Sequence, residues 1–300
     1  MSIRPVKRIA LSQPTLEGAG VKLRRAFGFG DTGEYDPFLL FDDFRNDNPN
    51  DYMAGFPWHP HRGIETITYV LAGSVEHGDS LCNRGTLGAG DIQWMTAGSG
   101  ILHQEMPKGD GHGLMHGFQL WANLPAALKM TKPRYQDVAA KDVPEVTDDD
   151  GTRVRIVIGD FWGKKGPVEG VAADPRYLDI SVPPGVRKHL PVETTNHAFA
   201  YVFAGSGTFR DASGPQAVRT EDERGVEEPS LSRVGNRSLV LFGRGDEVVV
   251  QASEEGIRFL LVSGRPIEEP VAWYGPIVMN TDAELRQAWA ELKNGTFIKK

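Results

Sequence analysis

Short apolar stretches alternate with breaks bearing glycine or proline along most of the chain. Over residues 21–30, apolar and polar side chains alternate as in a half-buried strand. Phe38, Leu39, Leu40 and Phe41 form a short apolar run, closed by Asp42, Asp43 and a polar loop to Asp51. That acidic pair reads first as a solvated turn, with a buried hydrogen-bonding role as the alternative. Residues 64–71, IETITYVL, are rich in β-branched and aromatic side chains and stop at Ala72-Gly73-Ser74. Further strands are predicted over 75–81, 92–97, 101–106 and 114–124, with turns at 83–85, 87–91 and 99–100. One stretch has a different period. Thr281-Asp282-Ala283-Glu284 is a capping box, Leu285, Ala288, Trp289 and Leu292 follow at helical spacing, and Gly295 is a stop. An isolated helix of this length is marginal in water, so its apolar stripe is expected to dock on a barrel.

The strand pattern repeats. Residues 69–74, YVLAGS, match 201–206, YVFAGS; Gly88-Ala89-Gly90-Asp91 match Gly243-Arg244-Gly245-Asp246; Gly100-Ile101 match Gly256-Ile257. Three matches in order point to a duplicated barrel. The acidic, proline-bearing stretch 140–152 is the best boundary. The expected layout is an N-terminal barrel over 1–139, a linker over 140–152, and a C-terminal barrel with the helix over 153–300. The length of 300 residues agrees with about two domains.

Charge and composition narrow the class. A net charge of −7 without a concentrated basic run disfavours nucleic-acid binding. No apolar run is long enough to span a bilayer, and residues 1–14 lack the apolar core of a signal peptide. With a single cysteine, Cys82, the chain reads as cytoplasmic.

The candidate chemistry lies between Gly55 and Pro107. His59 and His61 are one residue apart, and so are His103 and Glu105. On a strand, residues two apart share a face, so two neighbouring strands could bring three imidazoles and a carboxylate together. That donor set suits a first-row divalent metal with open positions; Fe, Mn, Co, Ni, Cu and Zn are all compatible. In the second copy the first pair maps to Pro191 and Glu193, the second to Phe259 and Leu261. The C-terminal barrel is therefore expected to be metal-free. No phosphate loop, dinucleotide fingerprint or serine-nucleophile elbow is present.

The stretches DPFLLFDDF, GFPWHPHRGIETITYVLAG, GDIQWMTAGSGILHQEMP, HGFQLWANLP and EPVAWYGPIVMNT resemble the pirin family of the cupin superfamily. The resemblance implies an all-β fold of two cupin barrels in tandem with a C-terminal helix. It also implies one iron, held in the N-terminal barrel by His59, His61, His103 and Glu105. Glu65, counted at the same strand parity as His59 and His61, then becomes a partner that orients a ligand imidazole. Two functions follow from the resemblance. One is quercetin 2,3-dioxygenase activity, opening a flavonol ring with O2 and releasing carbon monoxide, with Glu105 as proton acceptor. The other is a metal-dependent interaction protein that modulates a transcription factor or metabolic enzyme. An aromatic substrate would need a wall, for which Phe56, Trp58, Trp94, Met95 and Phe118 are candidates, with filling of the barrel core as the alternative.

Overall fold

The computed structural model describes residues 2–209 and 233–299. The fold is mostly strand, with two cupin domains and one C-terminal helix. It divides into two compact units that are not contiguous in sequence. One contains Ser12–Pro144, Val157–Pro175 and Gly264–Lys300; the other contains Met1–Leu11, Glu145–Ile156 and Arg176–Ser263. Boundaries drawn along the chain at 139 and 153 assign the two ends differently from these contacts. The strand Val6–Leu11 finds its hydrogen bonds on Ser238–Phe242, within the second unit. Residues 264–300 fold with the first unit. Among the described residues no helix is long and apolar enough to cross a membrane.

The first unit has two principal sheets. A seven-stranded antiparallel sheet runs in the order Arg134–Val138, Ile92–Thr96, Ile64–Ala72, His116–Asn123, Phe38–Asp43, Val21–Phe27, Gln13–Glu17. A four-stranded sheet runs Phe56–His61, Ile101–Lys108, Ser74–Asp79, Arg84–Leu87. The last of these strands lies where a turn at 83–85 was expected; Arg84 and Gly85 pair with Gly78 and His77 instead. Strand alternation sorts the side chains of the larger sheet into two layers. Leu40, Asp42, Thr68, Gln119 and Trp121 line a cavity, while Phe41 and Phe118 stack on the opposite face at 5.7 Å.

The C-terminal helix Asp282–Lys293 forms with the expected capping box, Thr281 and Glu284 satisfying each other's backbone N–H groups. Its stripe of Leu285, Ala288, Trp289 and Leu292 packs with Ile277, Met279 and Phe297 in the first unit. The strand Ile277–Met279 lies beside the turn at Arg62-Gly63, where Val278 N donates to Arg62 O at 3.1 Å. Gly63 has φ +77°, and a Cβ there would come within 1.9 Å of the Val278 carbonyl, so only glycine permits this approach. Buried Lys129 donates to the carbonyls of Gly63 and Val278 and to Asn123. Arg62, 2% exposed, donates to Glu291 at 2.7 Å and to the Phe297 carbonyl at 2.8 Å.

In the second unit a nine-stranded sheet is built around His197–Phe209 and Glu247–Gly264. Phe259 and Leu261, the sequence counterparts of His103 and Glu105, are fully buried and pair with Ile180 and Leu178. Pro191 and Glu193 are exposed, and Glu193 pairs with Arg176.

Because Arg62 is buried, removing its carboxylate partner leaves a poorly compensated charge. We expect Glu291→Ala to lower stability by on the order of 2 kcal/mol, and deletion of 281–300 to lower it further, both read by thermal or urea unfolding. An unchanged midpoint after the deletion would show that the tail adds nothing to the fold.

Candidate metal centre

The strand Phe56–His61 pairs antiparallel with Ile101–Lys108, placing His103 directly opposite His59. His61, two residues along from His59, shares its face. The three rings converge, with centroid separations of 4.3 Å for His59–His103 and 4.9 Å for His61 to each of the others. One nitrogen from each imidazole lies within 4.8 Å of the other two. His61 and His103 are buried, and His59 lines the cavity.

The hydrogen bonds fix which nitrogen faces inward. His59 Nδ1 meets the Pro57 carbonyl at 2.8 Å, and His61 Nδ1 meets the Pro276 carbonyl at 3.1 Å. A carbonyl only accepts, so each Nδ1 carries the proton and each Nε2 presents a lone pair. These two Nε2 atoms are 3.1 Å apart with neither able to donate to the other. His103 is buried with neither ring nitrogen partnered. Burial, with repulsion among the rings, holds His61 and His103 well below the usual imidazole range, and burial does the same to His59 to a lesser degree. Three neutral imidazoles with unsatisfied lone pairs fit a divalent cation.

Glu105 does not join this group. The register slips between His103 and Glu105, and Glu105 pairs with Phe56. Its carboxylate lies outside the 4.8 Å cluster and on the cavity wall. Burial pushes it up to about 7, with the neighbouring Thr68 side chain acting in the opposite sense.

Glu65 occupies a different place from the expected one. Between His61 and Glu65 the chain turns at Gly63 and enters the other sheet, so strand parity does not carry across. Glu65 faces the layer away from the cavity, where its Oε1 accepts from the Thr96 hydroxyl at 2.6 Å. It orients no imidazole.

A cavity of about 860 Å³ opens onto the histidines, lined entirely by residues of the first unit. Of the five wall candidates only Phe56 lines it. Trp58 is 55% exposed, and Trp94, Met95 and Phe118 are buried in the core. The aromatic wall is instead Phe29, Phe44, Tyr52, Phe56, Trp121, Trp273 and Tyr274. Trp121 stands edge-on to His61 at 4.9 Å and lies 6.0 Å from Trp273. Alternation along GFQLWAN could have flagged Trp121; only the fold brings Trp273 and Tyr274 to the site.

A family model described as Pirin matches residues 20–122, the segment holding all three histidines and Glu105, and one described as the Pirin C-terminal cupin domain matches 177–298. The chain belongs to the pirin family. A pirin-like protein of Caulobacter vibrioides is 43% identical over 99% of this chain and 100% of its own length. Human pirin is 36% identical over 98% of this chain and 93% of its own. The crystal structure titled quercetin 2,3-dioxygenase from Acinetobacter baumannii superposes with a TM-score of 0.85 at 30% identity, covering 98% of each chain. In this pirin-family chain the second family match runs through Trp273, Tyr274 and Pro276, which fold with the first unit and complete its site.

Elemental analysis is expected to find one metal ion per chain, lost in His59→Ala and in His103→Ala with the fold retained. Glu65→Gln should keep its metal, because its carboxylate points elsewhere. Metal loss in Glu65→Gln with full retention in His103→Ala would show the centre to be misplaced.

Proposed function

We propose that this pirin-family chain is an iron-dependent dioxygenase that opens a flavonol of the quercetin type with O2, releasing carbon monoxide. The observation that carries the reading is an aromatic-walled cavity of about 860 Å³ lined by His59 and His61 of the three-imidazole cluster, with Glu105 on its wall. That volume falls within the range of about 300–1,000 Å³ usual for small-molecule sites. The relation to the Acinetobacter baumannii structure, at 30% identity over 98% of the chain, supports the same class.

His59, His61 and His103 would hold the ion, and Glu105, on the cavity wall outside their cluster, would join as a fourth donor only once an ion is bound. The ion when bound supplies Lewis acidity, which lowers the pKa of a hydroxyl that meets it. Glu105, raised to about 7 by burial, accepts the proton of the flavonol 3-hydroxyl. Trp121 and Trp273 offer faces and edges against which a flat phenolic ring is held. The affinity order of divalent metals does not itself select iron; the mixed imidazole and carboxylate donors accommodate it. An interaction role alone, through a regulatory protein partner, needs no cavity of this size. The free, exposed Cys82 suits a cytoplasmic, reducing setting.

The test is oxygen uptake and carbon monoxide release by iron-loaded protein given quercetin. Glu105→Gln is expected to lower turnover by at least about 100-fold. Stripping the metal should abolish turnover, and iron should restore it. Binding of quercetin with no oxygen consumed would sink the enzymatic reading and favour the interaction role.

A further inference from the structure

The Asp42-Asp43 pair is not a solvated turn: Asp42 is 4% exposed and Asp43 1%. The two carboxylates go to opposite faces of their strand. Asp43 turns to Arg45, and Asp42 lines the cavity. Both Asp42 oxygens accept from its cross-strand neighbour Arg25, from Nε and Nη2, each at 2.8 Å. Glu17 steadies the same Nη2 at 2.8 Å. The flanking cavity-lining positions on these strands are Leu23, Leu40 and Phe44. Asp42 is buried in an apolar wall and Arg25 is a quarter exposed, and a carboxylate desolvated in this way gains little for stability over a well-packed hydrophobic residue, so its presence calls for another use.

Gln119 stands directly across from Asp42 on the next strand and also faces the cavity. Its carbonyl accepts from the Thr68 hydroxyl at 2.7 Å, which leaves its amide N–H groups for the cavity. Each Asp42 oxygen has a lone pair beyond the one Arg25 uses. Donor and acceptor therefore stand side by side, matching a phenolic hydroxyl, which gives one hydrogen bond and takes another. Their place is set by Trp121, which faces the same way two residues along and touches His61 at 4.9 Å. A two-residue step along a strand is about 7 Å, roughly the length of a fused bicyclic ring. A flavonol anchored at the histidines would present a ring substituent to this pair.

We propose that Asp42, clamped by Arg25, and Gln119 form a hydroxyl-reading subsite that selects flavonols hydroxylated on the rings remote from the metal. This rests on the flavonol reading and adds its specificity.

The test is equilibrium binding to the metal-loaded full chain without oxygen, read by tryptophan fluorescence quenching. The probes are quercetin and 3-hydroxyflavone, which keeps the 3-hydroxyl and its neighbouring carbonyl but lacks the other hydroxyls. The wild-type protein is expected to favour quercetin by about 10-fold or more, the scale of a hydrogen bond to a charged group. In Asp42→Asn and in Gln119→Met that ratio should fall to within about 3-fold, with metal content unchanged. Should Asp42→Asn fail to fold, Gln119→Met of similar size decides. Binding of both flavonols by wild type with equal affinity, or a ratio preserved in the folded variants, would overturn the subsite alone. Binding of neither flavonol by metal-loaded wild type would overturn the flavonol reading and the subsite with it.

Discussion

The site depends on two backbone carbonyls. Those of Pro57 and Pro276 take the Nδ1 protons of His59 and His61 and so turn both Nε2 lone pairs inward. Each buried imidazole nitrogen left without a partner costs about 1–3 kcal/mol, so the fold carries a local deficit that a cation relieves. Pro276 belongs to the tail, far from His61 in sequence. Its carbonyl reaches the ring because Gly63 has no Cβ to fend off Val278 and because Arg62 and Lys129 hold the tail in place. The C-terminal segment is therefore part of the candidate metal centre as well as a cover for the barrel. A fault in the tail would reach the imidazoles through the tautomer of His61.

The second unit shows what the same strand pattern does without the ligands. Phe259 and Leu261, the sequence counterparts of His103 and Glu105, are buried and pair with Ile180 and Leu178. Apolar side chains there satisfy a core with no polar atom to account for. The contrast separates fold from function: two cupin domains share the architecture, and the chemistry follows from a handful of positions in one of them.

What the sequence made legible follows from where alternation holds. His59, His61 and His103 could be placed on one face because each lies within a single strand, and the repeat showed which copy carried them. Parity failed for Glu65, since the count passed through the turn at Gly63 into another sheet. It failed more gently for Glu105, where a register slip after His103 moves the carboxylate off the imidazole cluster. The aromatic wall was misjudged because closeness in sequence stood in for closeness in space. Trp94 and Phe118 alternate to the far layer, while Trp273 and Tyr274 arrive from residues more than a hundred positions away. The helix was legible in full, because its capping box and its stripe are both local. For Asp42 the alternative of a buried hydrogen-bonding role holds over the solvated turn, and an acidic pair after an apolar run gives no sign that its two members part to opposite faces.

That parting gives the cavity its polarity. Setting Asp42 among Leu23, Leu40 and Phe44 removes its carboxylate from water while Arg25 stays a quarter exposed, and the bidentate geometry returns only part of that cost. Burial still holds Asp42 at about 6 despite the guanidinium against it, so the desolvation is felt in the finished fold. A wall that only closed the barrel would be more stable with apolar residues in both places. The imidazoles form one end of the cavity, aromatic rings its sides, and a clamped carboxylate with an amide a further polar point, so the cavity can orient a flat ligand along its length.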